Sequence, residues 1–194
     1  MVENIELYLA SQSPRRRALL KELGFPVKIV TPPNIDEVYP PDIKGPEIPL
    51  YLAKSKADVY TGDLPENAML VTADTIVWIN NQVIEKPKDE NDAKTMLQIL
   101  SGNMHQVFTG ICLKYKGNSY SFYDETKVFF KNLSLQEIIY YVEKYKPFDK
   151  AGAYGVQEWI GFIGVERIEG SYFNVMGLPT HRLYAEITSI LNKS

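Results

Sequence analysis

The chain reads as an α/β protein built on a mixed sheet flanked by helices, and three observations lead there. Apolar strand-like runs alternate with segments of helical period, the pattern of parallel strands joined by helical crossovers. Two hairpin signals interrupt that alternation, so some pairs must be antiparallel. The chain has 194 residues, 45% hydrophobic and 23% charged, which is ordinary for one globular domain and enough to bury a sizeable core. Residues 1–194 are therefore read as a single domain.

Residues 5–10 are a short apolar run ending in Ser11, Gln12, Ser13 and Pro14, the order of a strand, a loop and a helix start. Ser13 suits an N-cap and Pro14 the first helical position. The helix covers residues 14–23, with Leu19, Leu20 and Leu23 on one face, and Gly24 closes it. Residues 27–30 form a second strand. Seven of the nineteen residues from 31 to 49 are proline or glycine, so this acidic stretch is a long loop of a length that is commonly functional. Residues 48–60 read as helix, with Leu52, Ala53 and Ala57 sharing a face and Thr61 and Gly62 ending it.

Residues 69–73 are a buried-strand run that stops at Asp74 and Thr75; the strand resumes at 76–79, and Asn80 and Asn81 turn the chain into residues 82–84. Asp89 caps a helix running to Leu100, with Ala93, Met96, Leu97 and Leu100 at helical spacing, and Gly102 ends it. Residues 106–115 and 120–131 form a long hairpin around Lys116, Gly117 and Asn118. Ser134 and Glu137 make a capping box for residues 135–145. A glycine-rich loop at 147–157 leads to a strand, and 161–167 is a further strand candidate. The last helix begins near Pro179, with Leu183, Ile187, Ile190 and Leu191 facing inward. There is no internal repeat and no low-complexity segment.

A net charge of −3 argues against a general nucleic-acid binder. The single cysteine, Cys112, excludes an internal disulfide and any multi-cysteine metal site, and its apolar surroundings mark it as core. The first four residues lack the basic-then-apolar order of a leader, and no run reaches membrane-spanning length, so a cytoplasmic protein without membrane partners is expected. Thirteen tyrosines and eight phenylalanines leave room for an apolar homodimer interface.

Three consecutive arginines, Arg15, Arg16 and Arg17, stand where a helix start should reject cations. Each is unfavourable there by roughly 0.3–1 kcal/mol unless an anion sits among them. Unpaired N–H groups, the hydroxyls of Ser11 and Ser13 and the arginine forks would together cradle a phosphate. A solvated arginine-rich turn is the alternative. Asp74 follows a buried run directly, where open α/β sheets place their ligands, although taken alone it is better accounted for by an Asx turn or an N-cap. Pro87 forces Lys86 extended, so it projects from a loop, as a solvated lysine also would. Lys54 and Lys56 cannot share a helix face, and periodicity does not decide which faces solvent. By composition Glu37 is a solvated loop residue. His105 and His181 are too few and too separated for zinc and read as structural. Phosphate-loop, dinucleotide and nucleophile-elbow motifs are all missing, and no serine has a base partner. The remaining arginines, lysines and carboxylates suit phosphoryl chemistry with a hard divalent cation and water as the nucleophile.

With these residues in place, the chain resembles the Maf family of nucleoside triphosphate pyrophosphatases over nearly its whole length. Residues 11–16, 73–77 with 85–87, 149–157 and 170–179 match that family's blocks in order and at suitable spacing. The resemblance implies a mixed, elongated, twisted sheet in two lobes with a cleft between them, akin to the inosine triphosphatase architecture. It implies hydrolysis between the α and β phosphates, giving a monophosphate and pyrophosphate, with Mg²⁺ or Mn²⁺ as cofactor. Carried onto this chain, it makes Asp74 the general base and, with Glu37, a metal ligand. Ser11, Ser13, Arg16, Lys56 and Lys86 would hold the triphosphate, leaving Arg17 as a solvated helix residue. Arg15, Thr75 and Gln157 are similar to the specificity positions of the dTTP- and UTP-preferring sub-group, with modified pyrimidine nucleotides as further substrates. Beside Mg²⁺ and lysines Asp74 is expected to stay ionised, since nearby positive charge lowers a carboxylate pKa. One departure bears on specificity: the family usually has glycine after the glutamine, whereas Glu158 and Trp159 follow here, placing a carboxylate and an indole beside the base site. Members of the family have also been linked to septum formation, so a nucleotide-binding regulator of cell division is the alternative. A nucleotidyltransferase would use a similar set of charges.

Overall fold

The computed structural model describes residues 5–193; the first four residues, on which the reading of no leader rests, lie outside them. Seven strands form one mixed sheet in the order β2-β1-β3-β5-β6-β7, with β4 paired to β3. The elements run β1 Glu6–Ala10, α1 Pro14–Lys21, β2 Val27–Val30, α2 Glu47–Asp58, β3 Ala68–Ile79, β4 Gln82–Ile84, α3 Glu90–Leu100, β5 Met104–Tyr115, β6 Asn118–Phe130, α4 Leu135–Tyr145, α5 Trp159–Gly164, β7 Val165–Glu169, α6 Tyr172–Val175 and α7 Thr180–Leu191. The α/β class and the mixed sheet are as expected: β1 pairs in parallel with β2 and β3, while β4 and β7 run antiparallel to their neighbours. Among the described residues no helix is long and apolar enough to cross a membrane.

The chain condenses into two compact units. The first comprises the described residues up to Asp74, Thr109–Asp124 and the chain from Gly177 onward; the second comprises Thr75–Phe108 and Glu125–Met176. In the first unit Tyr8, Ala10, Ala53, Ala57, Leu70 and Cys112 pack together, so α2 lies on the sheet through its small residues. A side chain at Gly110 would overlap the Pro49 carbonyl, which explains how closely α2 approaches β5. Cys112 is core as expected, its thiol pKa pushed up by burial and then by the Asp58 carboxylate. In the second unit α3 and α4 bury Ala93, Leu97, Leu100, Ile138, Tyr141 and Val142 against β-strand residues such as Val107 and Val128. The capping box of Ser134 and Glu137 is present, and Asp89 accepts from the Asp92 N–H. Asn80 and Asn81 both take positive φ (52° and 59°), the primed-turn geometry that joins β3 to β4.

Three sequence expectations need correcting. β3 does not break at Asp74 and Thr75. It runs unbroken from Ala68 to Ile79, in register with β1 through Val71 and with β4 from Val77, so both polar residues stay within the strand. Residues 159–164 form α5 rather than the start of a strand, because the chain coils over its own preceding turn. Any side chain at Gly161 would overlap the Val156 carbonyl oxygen. Leu191 is half-exposed rather than facing inward, whereas Leu183, Ile187 and Ile190 are buried.

Candidate functional site

The first unit builds its charged centre from the end of β1. Beyond Ala10 the chain leaves the sheet, and the Ser13 N–H donates to the Ser11 Oγ at 3.2 Å. Ser13 is the N-cap of α1, its own Oγ accepting from the Arg16 N–H at 3.4 Å, with Pro14 first in the helix. Both hydroxyl oxygens therefore accept from the main chain, which leaves each O–H proton to donate elsewhere.

The arginine run is not a solvated patch. Arg17 donates through Nε and Nη2 to the Ser11 carbonyl, both at 3.2 Å, so the expectation of a solvated Arg17 fails. Arg16 donates through Nε to the Gly177 carbonyl and through Nη1 to the Ala73 carbonyl, each at 2.9 Å. These main-chain oxygens supply part of the negative potential that a cationic helix start needs. Burial lowers the Arg16 pKa from its ordinary value, opposed by the charge of Asp74. Arg15 lies half-buried on the same turn.

Asp74 sits three residues beyond Val71, the last β3 residue in register with β1, and so just past the C-terminal end of that neighbour. Lys56, from the last turn of α2, places its Nζ 2.6 Å from Asp74 Oδ1 and 2.6 Å from Glu37 Oε1. This decides between the two lysines of α2: Lys54 is exposed, and Lys56 turns inward. The side chains of Lys56 and Asp74 are only 13% and 11% exposed, whereas Glu37 is 49% exposed and meets them from the loop. Burial raises the Asp74 pKa above its ordinary value, with Lys56 and Arg16 acting in the opposite direction. Among the protein's own groups, desolvation of the carboxylate outweighs its two cations.

Whether these residues suit a divalent cation can be judged from Lys56. One ammonium within 2.6 Å of both carboxylates marks a point that each of them reaches. Mg²⁺ characteristically takes one or two protein carboxylates and completes its shell with water and substrate phosphates, so the donor set fits. Among the described residues no cluster of three or more His, Cys, Asp or Glu offers a richer cage.

The second unit carries Thr75, Lys86 and Gln157. Thr75 follows Asp74 on β3 and is half-buried. Lys86 is exposed just after β4, between Glu85, whose carbonyl accepts from the Gly152 N–H at 3.0 Å, and the buried Pro87. Gln157 occupies a turn closed by the Glu158 N–H on the Gly155 carbonyl at 3.0 Å, and its Oε1 is buried with no hydrogen-bond partner. The structure thus brings Arg16, Glu37, Lys56 and Asp74 together, with Ser11, Ser13 and Arg15 on the adjoining helix start. Thr75, Lys86 and Gln157 stand on three separate segments of the other unit. Of the two histidines, His105 is structural as expected: it is buried, its Nε2 lies 2.7 Å from Tyr154 Oη, and burial holds its pKa near 3.

Sequence reasoning singled out Glu158 beside Gln157 but missed its partners Lys150 and Tyr141. Lys150, almost fully buried, pairs with Asp149 at 2.8 Å and Glu158 at 3.0 Å, and the Tyr141 hydroxyl donates to Glu158. Lys150 stands in the 149–157 block, so that signal was available. Tyr141 gave none, since it falls on the inner face of α4 like any core residue.

Comparison with known proteins adds the following. The family model described as Maf-like protein matches residues 6–190. A protein of Phocaeicola vulgatus named dTTP/UTP pyrophosphatase is 53% identical over 98% of this chain and 100% of its own length. Proteins of the same name from Bacteroides thetaiotaomicron and Flavobacterium johnsoniae are 49% and 46% identical, covering 98% of this chain and 100% and 97% of their own lengths. A solved structure of a HAM1 protein from Coxiella burnetii aligns with TM-score 0.51 and 16% identity, over 95% of this chain and 99% of that one, a likeness of fold.

Proposed function

This chain belongs to the Maf-like protein family, and from that premise we propose that it hydrolyses nucleoside triphosphates, dTTP and UTP foremost, to the monophosphate and pyrophosphate. The names of its close relatives support the reaction and the substrate class. The observation that carries the reading within this molecule is the buried Asp74 carboxylate, held with Glu37 on the single ammonium of Lys56.

Asp74 has one oxygen on Lys56 and a pKa raised by burial, which suits a group that must take a proton near neutral pH. We assign it the proton of the water that attacks the α-phosphorus. The new P–O bond forms as the bond from that phosphorus to the oxygen bridging to the β-phosphorus breaks, and that oxygen leaves with pyrophosphate. Ser11 and Ser13 donate their hydroxyl protons to phosphate oxygens. Arg16, tied to the Ala73 and Gly177 carbonyls, holds a fixed positive charge beside Asp74, and Lys56 adds its own; Lys86 is assigned to the phosphates. Asp74 and Glu37 would hold Mg²⁺ or Mn²⁺, whose charge when bound offsets that of the phosphates. Arg15, Thr75 and Gln157 select the base. A buried amide oxygen such as Gln157 Oε1 accepts the N3–H of uracil or thymine, whereas cytosine presents a lone pair at that position.

The test is pyrophosphate release from dTTP, UTP, CTP and the purine triphosphates with Mg²⁺ and no acceptor. Release without an acceptor supports hydrolysis over nucleotidyl transfer. Binding of UTP with no release would overturn the reading and leave a nucleotide-binding regulator.

A further inference from the structure

We infer that Glu158, acting with Tyr141 and Lys150, is a positioning residue that sets the base-reading amide of Gln157; this rests on the proposed selection of the base by Gln157. The turn that carries Gln157 is pinned at both ends through one hydroxyl. At its start the Gly155 N–H donates to Tyr141 Oη at 3.0 Å. At its end the Glu158 Oε2 accepts the proton of that same hydroxyl. Tyr141 is fully buried on α4, so the point to which both ends are tied is part of the core. The second carboxylate oxygen of Glu158 lies 3.0 Å from Lys150 Nζ. Lys150 is itself held by main-chain bonds, its N–H on the Pro147 carbonyl at 3.2 Å and its carbonyl accepting from the Ala153 N–H at 3.1 Å.

Glu158 is the N-cap of α5 by position, yet its side chain makes no cap hydrogen bond. It turns back to Tyr141 and Lys150 instead. A side-chain carbon added to Gly155 would stand 2.8 Å from Glu158 Cδ and 3.0 Å from Gln157 Nε2, so both side chains lie directly on the Gly155 backbone. Moving the carboxylate therefore shifts the surface that supports the Gln157 amide. Trp159, the other residue anticipated beside the base, packs its ring edge-on to Tyr140 with centroids 4.8 Å apart. Of that pair, Glu158 is the one tied to the Gln157 turn.

The test compares kcat and KM for UTP and CTP in the wild type, Glu158→Ala, Glu158→Gln and Tyr141→Phe, with folding checked by circular dichroism. Losing one buried hydrogen-bonded tie should raise the KM for UTP about tenfold and lower the UTP-to-CTP ratio of kcat/KM about as much, with kcat falling less. Glu158→Gln keeps an acceptor for Tyr141 and should recover most of that ratio. In a Gln157→Ala background the Glu158→Ala effect on the ratio should vanish, which loss of stability alone would not produce. A UTP-to-CTP ratio in folded Glu158→Ala within twofold of wild type would overturn the inference while leaving the hydrolase reading intact. Should Tyr141→Phe fail to fold, the partly exposed Glu158 carries the test alone. A wild-type protein that releases no pyrophosphate, or shows no preference between UTP and CTP, would overturn the underlying reading and the inference with it.

Discussion

Lys56 reaches two carboxylates that lie 18 residues after it and 19 before it, and that one ammonium is what makes Asp74 and Glu37 a pair. Asp74 pays for its burial in pH dependence. Its pKa is raised in the folded state, so the folded chain binds a proton more tightly than the unfolded chain between the ordinary carboxylate value and the raised one. Stability contributed by this group is therefore lost as pH rises through that window. Asn mimics the protonated form, so Asp74→Asn should abolish turnover while keeping a thermal midpoint at pH 7 no lower than that of the wild type. A midpoint well below wild type, or retained turnover, would remove Asp74 from the role assigned to it. For the same reason the Asp74 carboxyl, with divalent cations removed by chelation, should titrate above the ordinary aspartate range of about 3.9, measurable by NMR titration against Asp74→Asn.

Each element supplies a position and a direction. In α1 the Ser13 cap orients the first turn from which Arg16 reaches the Ala73 carbonyl. Ser13→Ala should cost about 1 kcal/mol in denaturant unfolding and raise KM, since cap and phosphate donor are lost together. An unchanged KM would separate the cap from substrate binding. In α5 the constraint is steric: Gly161→Ala places a methyl on the Val156 carbonyl oxygen and should destabilise by about 3 kcal/mol or prevent folding. The left-handed Asn80–Asn81 turn and the Ser134–Glu137 capping box were readable directly, because turn and cap chemistry act between residues at most three apart.

At the scale of the molecule, a net charge of −3 surrounds a local cationic centre, so binding of a triphosphate should weaken with salt. The turnover-deficient Asp74→Asn variant permits a direct measurement. UTP at one hundred times its Kd should add about 2.7 kcal/mol and raise the midpoint by about 5–10 °C, less at high ionic strength. No shift with UTP, set against a normal fold, would count against nucleotide binding. The sequence by itself determined most helices and strands, the hairpin turns, the caps and the identities of the charged residues, because each signal is complete within a few neighbouring side chains. Only the tertiary structure decided that β3 runs straight through Asp74, that α5 coils where a strand was expected, and that Lys56 rather than Lys54 turns inward. It also decided that Arg16 answers to the Gly177 carbonyl, 161 residues away, and that burial outweighs two cations at Asp74. Ladder pairing, ion pairing and desolvation depend on groups that the fold, and not the order of the chain, brings within a few ångströms.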